Sequence, residues 1–369
     1  MVSIRVRKNF APALVLTAPV LFFLAIVLLI TPAAAQKIKQ LPPPPPGPRY
    51  KPKPTPKPTP TPEPQYEVLR ISSNLVVVPV SVSDVNGQPV LGLQKSEFHI
   101  EEDGRVQEIT QLGDPEQVPL DIAILIDVSS SVVARFSFEQ QAAASFLKQV
   151  LKPEDRATIF AIDEKPRLVQ PLANAEVASQ KLMAITPSKS YTAFFDSVLT
   201  AANYLDKSSA NGRRRIILVI SDGDDTARIL EVSAAQNRDG GLIGKDAQLQ
   251  LVQRGQLETL REVQRAEITF YSINPSGQTM HLNLRTARSE LGMEKIAEAT
   301  GGAAFVPASE ADLGRIFQRI GSEIRSQYLL QYYSDNRSPG RAFRRIAVST
   351  PAQSSLHVRA REGYYPKAN

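Results

Sequence analysis

Residues 122–132 read IAILIDVSSSV, an apolar run that ends in one carboxylate, Asp127, with hydroxyls at alternate positions after it, Ser129 and Ser131. Two further oxygen donors stand at similar places downstream. Thr192 lies in SKSYTAFFDSV, just ahead of a helical pattern, and Asp222 follows the apolar run ILVIS in ILVISDGDD. Donors that are all oxygen select a hard cation. Magnesium takes octahedral oxygen coordination, keeps some of its waters and is held by few protein carboxylates. The D-x-S-x-S spacing suits a tight turn leaving a strand, with both hydroxyls turned to one point. If the hydroxyls bind directly and the aspartates act partly through water, the ion keeps much of its charge. It then calls for an anionic ligand from outside, and the rim becomes a site that captures a carboxylate of a partner protein.

Taken singly, these signals are weak, because Asp and Ser also cap helices and Asp-Gly is an ordinary turn. Order and place are what join them, and those depend on the elements around them. DIAILID, RATIFAID, RRRIILVIS, EITFYSIN and GAAFVPA read as strands. Between them FSFEQQAAASFLKQVL, FFDSVLTAANYLDK, LQLVQRGQLETLREVQRA, LGMEKIAEATGG and ADLGRIFQRIGSEIRSQ carry apolar residues at helical spacing. Such alternation predicts an α/β fold, a doubly wound, mostly parallel sheet with helices on both faces. Ligands of such sheets sit outside the carboxyl ends of the strands, where Asp127 and Asp222 are expected to lie. Asp224 and Asp225 read as solvated loop or helix-start residues rather than further ligands.

IDVSSSV, the Thr192 loop and ISDGDD together resemble the metal-ion-dependent adhesion site of von Willebrand factor type A domains, whose fold is Rossmann-like. The resemblance covers the middle domain, roughly half of the chain. It implies a metal site of Asp127, Ser129, Ser131, Thr192 and Asp222, holding Mg2+, with Mn2+ or Ca2+ as alternatives. It also implies a protein ligand that donates an acidic side chain. The flanks resemble exported bacterial proteins with a type A-related domain, in VSVSDVNGQPVLGLQKSEFHIEEDG before the domain and RAREGYY after it. Two departures stand out. Tyr191 occupies the place before the Thr where glycine is common, and residues 227–247 are longer and richer in glycine than the usual connection.

The flanks themselves have a β texture. In LVVVPVSVSD, Val76, Val78, Val80 and Val82 fall on one face, and Asp103-Gly104 between two short runs is a hairpin signal. The segment before the middle domain offers four strands and the segment after it about three, so pairing them predicts one composite β-sandwich that carries the α/β domain as an insertion. Val76, Val78, Val80 and Val82 would then pack against Ile346, Val348, Leu356 and Val358.

At the N-terminus, Arg5, Arg7 and Lys8 precede an apolar stretch at 11–30 and small residues up to Ala35. That is the pattern of a secretory signal cleaved near Ala35. If uncleaved, the same stretch is a membrane anchor, and either way the rest is exported. Residues 42–64, PPPPPGPRYKPKPTPKPTPTPEP, form no core; as polyproline II, 23 residues reach on the order of 70 Å. The expected organisation is a signal peptide at 1–35, a proline-rich linker at 36–65, sandwich strands at 66–118, the type A domain at 119–327 and the remaining sandwich strands at 328–366.

Composition excludes several classes. The 369 residues contain no cysteine, which removes disulfides, zinc–thiolate sites and cysteine nucleophiles. Net charge is +6, but nine basic residues and one acid lie in residues 1–64, so the body is near neutral and nucleic acid is not an expected partner. There is no G-x-S-x-G elbow and no G-x-x-x-x-G-K-[ST] loop. A phosphatase built on a strand-end aspartate needs a second Asp where Ser129 stands. His99, His281 and His357 lie outside the five-residue set. The expected function is an exported, metal-dependent, non-enzymatic protein-binding module for adhesion or envelope assembly. The alternative is a structural or sensory envelope subunit whose metal site is not essential, with a hydrolase a remote third.

Overall fold

The computed structural model describes residue 47 and residues 75–129, 135–188, 190–236, 244–277, 284–336, 340 and 342–367. The apolar segment at 11–30, the cleavage site near Ala35, Ser131 and His281 lie outside the described residues, as does the proline-rich stretch apart from Gly47. Among the described residues no helix is long and apolar enough to cross a membrane.

Alternation at period two makes β1 (Leu75–Ser83), which buries Val76, Val78, Val80 and Val82 and leaves Leu75 and Val77 open. Asp84 then accepts from the amides of Asn86 and Gln88, each at 2.8 Å, and turns the chain at Asn86-Gly87. β2 (His99–Glu102) and β3 (Arg105–Val106) pair across Asp103-Gly104. Both turn residues sit in the left-handed region, at φ 49 and 76, as a tight hairpin requires. β4 (Ile109–Gly113) follows.

The α/β core opens with β5 (Leu120–Asp127) and continues through α1 (Phe136–Val150), β6 (Arg156–Ile162), β7 (Arg167–Ala173), α2 (Ala175–Met183) and α3 (Phe194–Ser208). It is completed by β8 (Arg214–Ile220), α4 (Thr226–Gln236), α5 (Lys245–Arg265), β9 (Ile268–Ile273), α6 (Leu284–Ala299), β10 (Ala304–Phe305) and α7 (Glu310–Ser326). The sheet order is β10-β9-β8-β5-β6-β7, parallel throughout except for β7. β5 lies in the middle with both faces covered, so every one of its residues is buried. Leu120, Ile122, Ile124 and Ile126 pack with Phe146, Leu147, Phe317 and Ile320 of α1 and α7. Ala123 and Leu125 point the other way, toward Phe194, Val198, Val263 and Ile296 of α3, α5 and α6. Each fully buried Leu or Ile contributes about 1.5–3 kcal/mol relative to exposure.

β7, α2 and α4 were not expected from the sequence. β7 contains Pro171 and its apolar residues are half exposed, a combination tolerated on a sheet edge and invisible to a search for buried runs.

After α7 come β11 (Tyr328–Tyr333), β12 (Arg344–Ser349), β13 (His357–Ala360) and β14 (Gly363–Tyr364), one strand more than expected. They close two sheets, β13-β1-β11-β4 and β14-β12-β2-β3, each of which mixes strands from both flanks. Val78 stands opposite Leu330, and Ile100 opposite Val348. The four valines of β1 share a core with Ile346, and Val348, Leu356 and Val358 pack against it. The fold class is therefore the expected one, a mostly parallel α/β sheet inserted into a sandwich of flanking strands.

Polar groups join the insertion to its sandwich. Glu323 of α7 accepts from Tyr271 of β9 at 2.8 Å and Ser81 of β1 at 3.1 Å, and pairs with Arg359 of β13. The amide of Glu362 donates to Ala299 at the end of α6, at 3.0 Å.

Candidate metal centre

Parallel pairing of β5 with β8 brings Ile126 beside Ile220. Asp127 and Ser221 thus leave the sheet side by side. The Ser221 hydroxyl donates to Asp127 Oδ2 at 2.8 Å, and the Ser129 amide donates to Oδ1 at 2.9 Å. Asp127 is wholly buried. Burial pushes its carboxyl up to about 6; the bonds from Ser129 and Ser221 oppose that, and the neighbouring charge of Asp222 adds to it. The residue is held by neutral donors, and the charge beside it is another acid.

Asp222 begins the third loop, and its Oδ1 accepts from the Asp224 amide at 3.1 Å. Gly223 turns the chain there with φ +78, and a Cβ at that position would stand 2.9 Å from the tip of Met293. The backbone thus favours glycine after the aspartate, and any side chain there would also have to shift the tip of Met293.

Thr192 arrives from the second loop, between α2 and α3, and is buried. Its amide donates to Thr226 Oγ1 at 2.9 Å, and its carbonyl accepts from the Ala227 amide at 3.1 Å, which ties the second loop to the first turn of α4. The same loop is tied to the first: Ser188 donates its amide to the carbonyl of Val128 at 2.6 Å. Tyr191 stands out into solvent, 55% exposed.

The structure thus places Asp127, Ser129, Thr192 and Asp222 on one rim, at the carboxyl ends of β5 and β8 and in the loop between α2 and α3. Ser131 lies outside the described residues. Asp225 takes the helix-start role of the two expected for it, directly before α4, but it is buried there and not solvated. Its carboxylate accepts from the Phe195 amide at 2.9 Å and the Arg228 amide at 3.1 Å, so one side chain caps α3 and α4 together. Burial pushes its pKa up to about 6 against those two bonds. Ser221 was also missed. Its signal was legible only by laying β5 and β8 in register, which sets Ser221 abreast of Asp127.

The four described residues offer two carboxylates and two hydroxyls, oxygen donors that suit a hard divalent cation. Among the described residues no three of His, Cys, Asp and Glu group to hold a metal. His99 and His357 are placed in β2 and β13 of the sandwich, away from this chemistry.

A family model described as von Willebrand factor type A domain matches residues 122–224, the stretch from β5 through the third loop. The chain carries a von Willebrand factor type A domain.

Solved structures similar to the chain include an aerotolerance-related membrane protein from Bacteroides fragilis, 17% identical over 56% of this chain and 98% of that one, at a TM-score of 0.39. The von Willebrand factor domain of the type V pili tip protein Mfa5 from Porphyromonas gingivalis is 15% identical over 56% of this chain and 95% of that one, at 0.40. A von Willebrand factor type A protein from Catenulispora acidiphila is 14% identical over 69% of this chain and 51% of that one, at 0.43. No curated protein matches the chain. The family match ends inside the third loop, so α4 to α7 of the type A domain lie beyond it.

Proposed function

We propose that the chain is an exported protein-binding module whose type A domain holds Mg2+ on its rim and uses it to capture a partner's carboxylate. Mn2+ or Ca2+ would serve the same donors. Asp127, Ser129, Ser131, Thr192 and Asp222 are the proposed ligands. The observation that carries this reading is the state of Asp127: a buried carboxylate held by neutral donors, with a second acid, Asp222, beside it. Buried charges are ordinarily paired or metal-bound, and a divalent cation on the rim would supply the opposite charge that buried Asp127 lacks. Hydroxyls from Ser129 and Thr192 neutralise none of the ion's charge, which leaves it attractive to an incoming acid.

In this reading residues 119–327 are the binding domain. Residues 66–118 and 328–366 form the platform under it, and residues 36–65 are the spacer that extends it from the cell envelope after export. Adhesion and assembly of an envelope complex both follow from such an arrangement. In this proposal the metal would serve to hold a ligand's carboxylate rather than to carry out a reaction.

Calorimetric titration of Mg2+ and Mn2+ into the full chain tests the site. Wild type is expected to bind, while Asp127→Ala and Thr192→Ala keep the circular-dichroism spectrum and lose the heat of binding. Unchanged binding in both variants would refute the assignment. Capture of an envelope partner is expected to be lost on adding EDTA and recovered with excess Mg2+.

A further inference from the structure

The proposed metal site takes one ligand, Thr192, from a stretch that apolar burial does not hold. From residue 186 to Tyr191 the described side chains are exposed or half-buried, and Tyr191 points outward. Beyond the bonds that the Ser188 amide and hydroxyl make to the Val128 carbonyl, at 2.6 and 3.2 Å, order in that stretch comes from one residue just past the neighbouring strand. Asp163 directly follows β6. The Ser190 hydroxyl donates to its Oδ1, and the Ser188 hydroxyl reaches the same oxygen at 3.3 Å. The two serine oxygens stand 2.6 Å apart. The Glu164 amide also donates to that Oδ1, at 2.9 Å. On the far side of Thr192, the Ala193 amide donates to the Asp163 main-chain carbonyl at 2.9 Å.

Asp163 therefore grips the second loop on both sides of Tyr191-Thr192, by its side chain before them and by its backbone after them. We propose that Asp163 is the positioning residue of the second loop and sets the cation affinity of the rim by fixing where Thr192 stands. The inference rests on the metal reading above and names a group that touches no metal. Its physical basis is the one that governs groups behind metal ligands generally: the ligand binds well only when its orientation is fixed beforehand by hydrogen bonds from rigid elements. Here the rigid element is β6, paired along its whole length with β5, which carries Asp127. The brace thus refers Thr192 to the same sheet that places the first ligand. Partial burial acts to raise the Asp163 carboxyl, but the bonds from Ser190, the Glu164 amide and Ser188, with the nearby charge of Arg167, hold it below the usual carboxylate range.

The test is Mg2+ titration of the full chain carrying Asp163→Ala, Asp163→Asn or the pair Ser188→Ala and Ser190→Ala, with the metal-free melting temperature of each. Asp163→Ala is expected to weaken Mg2+ binding by about 10-fold or more, with a metal-free melting temperature close to wild type. Asp163→Asn keeps a carbonyl acceptor and is expected to restore most of the affinity. The double serine variant is expected to match Asp163→Ala, and adding Asp163→Ala to it to cost little more, because the three groups act as one unit. Wild-type affinity in both Asp163→Ala and the double serine variant, with Thr192→Ala still inactive, overturns the brace and leaves the metal site standing. No Mg2+ or Mn2+ binding in wild type overturns both. If Asp163→Ala does not fold, the double serine variant decides: about 10-fold weaker binding supports the brace, and unchanged binding removes it.

Discussion

Asp127 is a carboxylate whose charge the metal-free protein accommodates poorly. Its folded pKa of about 6 lies above the 3.8 of the unfolded chain. The proton it keeps in the folded state favours folding below pH 4, and that advantage is lost as pH rises through 6. The full difference corresponds to about 3 kcal/mol at pH 8. Asp127→Asn keeps the shape and an acceptor for the Ser129 amide, turns the acceptor facing Ser221 into a donor, and removes the charge. In EDTA at pH 8 the variant is expected to be more stable than wild type by about 1–3 kcal/mol. At pH 4 the two should be close. Asp225, with its pKa also pushed up to about 6, still gives the variant part of the slope. Added Mg2+ should raise the stability of wild type and leave the variant unchanged. Urea unfolding at the two pH values, with and without Mg2+, reads all of these, and an Asp127→Asn protein that is less stable than wild type at pH 8 in EDTA would contradict the account of this residue.

At the scale of elements, the site is built by strand register and by what each strand end permits. β5 and β8 are parallel and adjacent, so the residues just past their ends meet as Asp127 and Ser221. Gly223 then lets the third loop turn at φ +78 over Met293. A left-handed backbone costs an L-residue about 1–2 kcal/mol, and the added methyl also has to displace Met293. Gly223→Ala is therefore expected to lower stability by about that amount and to weaken Mg2+ binding through Asp222, seen as a lower urea midpoint and a shifted titration. A variant with wild-type midpoint and affinity would show that the turn does not constrain the site. The helices respond to the same loops: Asp225 caps α3 and α4 together, so the rim and the helix starts around it are one hydrogen-bonded assembly.

At the scale of the molecule, the sandwich has no half that stands alone. β1 lies between β13 and β11, both from the C-terminal flank, and β12 of that flank lies against β2. Deleting residues from Tyr328 onward removes both neighbours of β1 and uncovers its four valines. Amide exchange at residues 75–83 is expected to go from protected in the full chain to unprotected in the truncated one; equal protection in both would mean that the tail contributes nothing to that sheet. The truncation also takes Arg359 from Glu323, a buried carboxylate that then keeps only Tyr271 and Ser81 of the partners described above. The type A domain is expected to lose stability with its platform, since α7 carries that carboxylate.

Much of this is legible in the sequence. The strands of the core are buried on both faces and so read as unbroken apolar runs, and the β1 valines repeat at the period of a half-buried strand. The oxygen donors at 127, 129 and 131 share a local spacing, while those at 192 and 222 are joined to them by their expected place at strand and helix ends and by the resemblance to type A domains. Register and packing are not legible there. β7 carries a proline and half-exposed side chains, so periodicity passed over it, and only the edge of a finished sheet gives it a place. Asp225 looks in sequence like any acid at a helix start; α3 and α4 converging on it is what buries it. Ser221, Asp163, Ser188 and Ser190 are ordinary polar residues until pairing of β5 with β8 and β6 sets them beside the proposed ligands. Local sequence determines which groups can bond and how the chain turns near them. Which of those groups meet across long separations is decided by tertiary structure, because only the buried sheet fixes their distances.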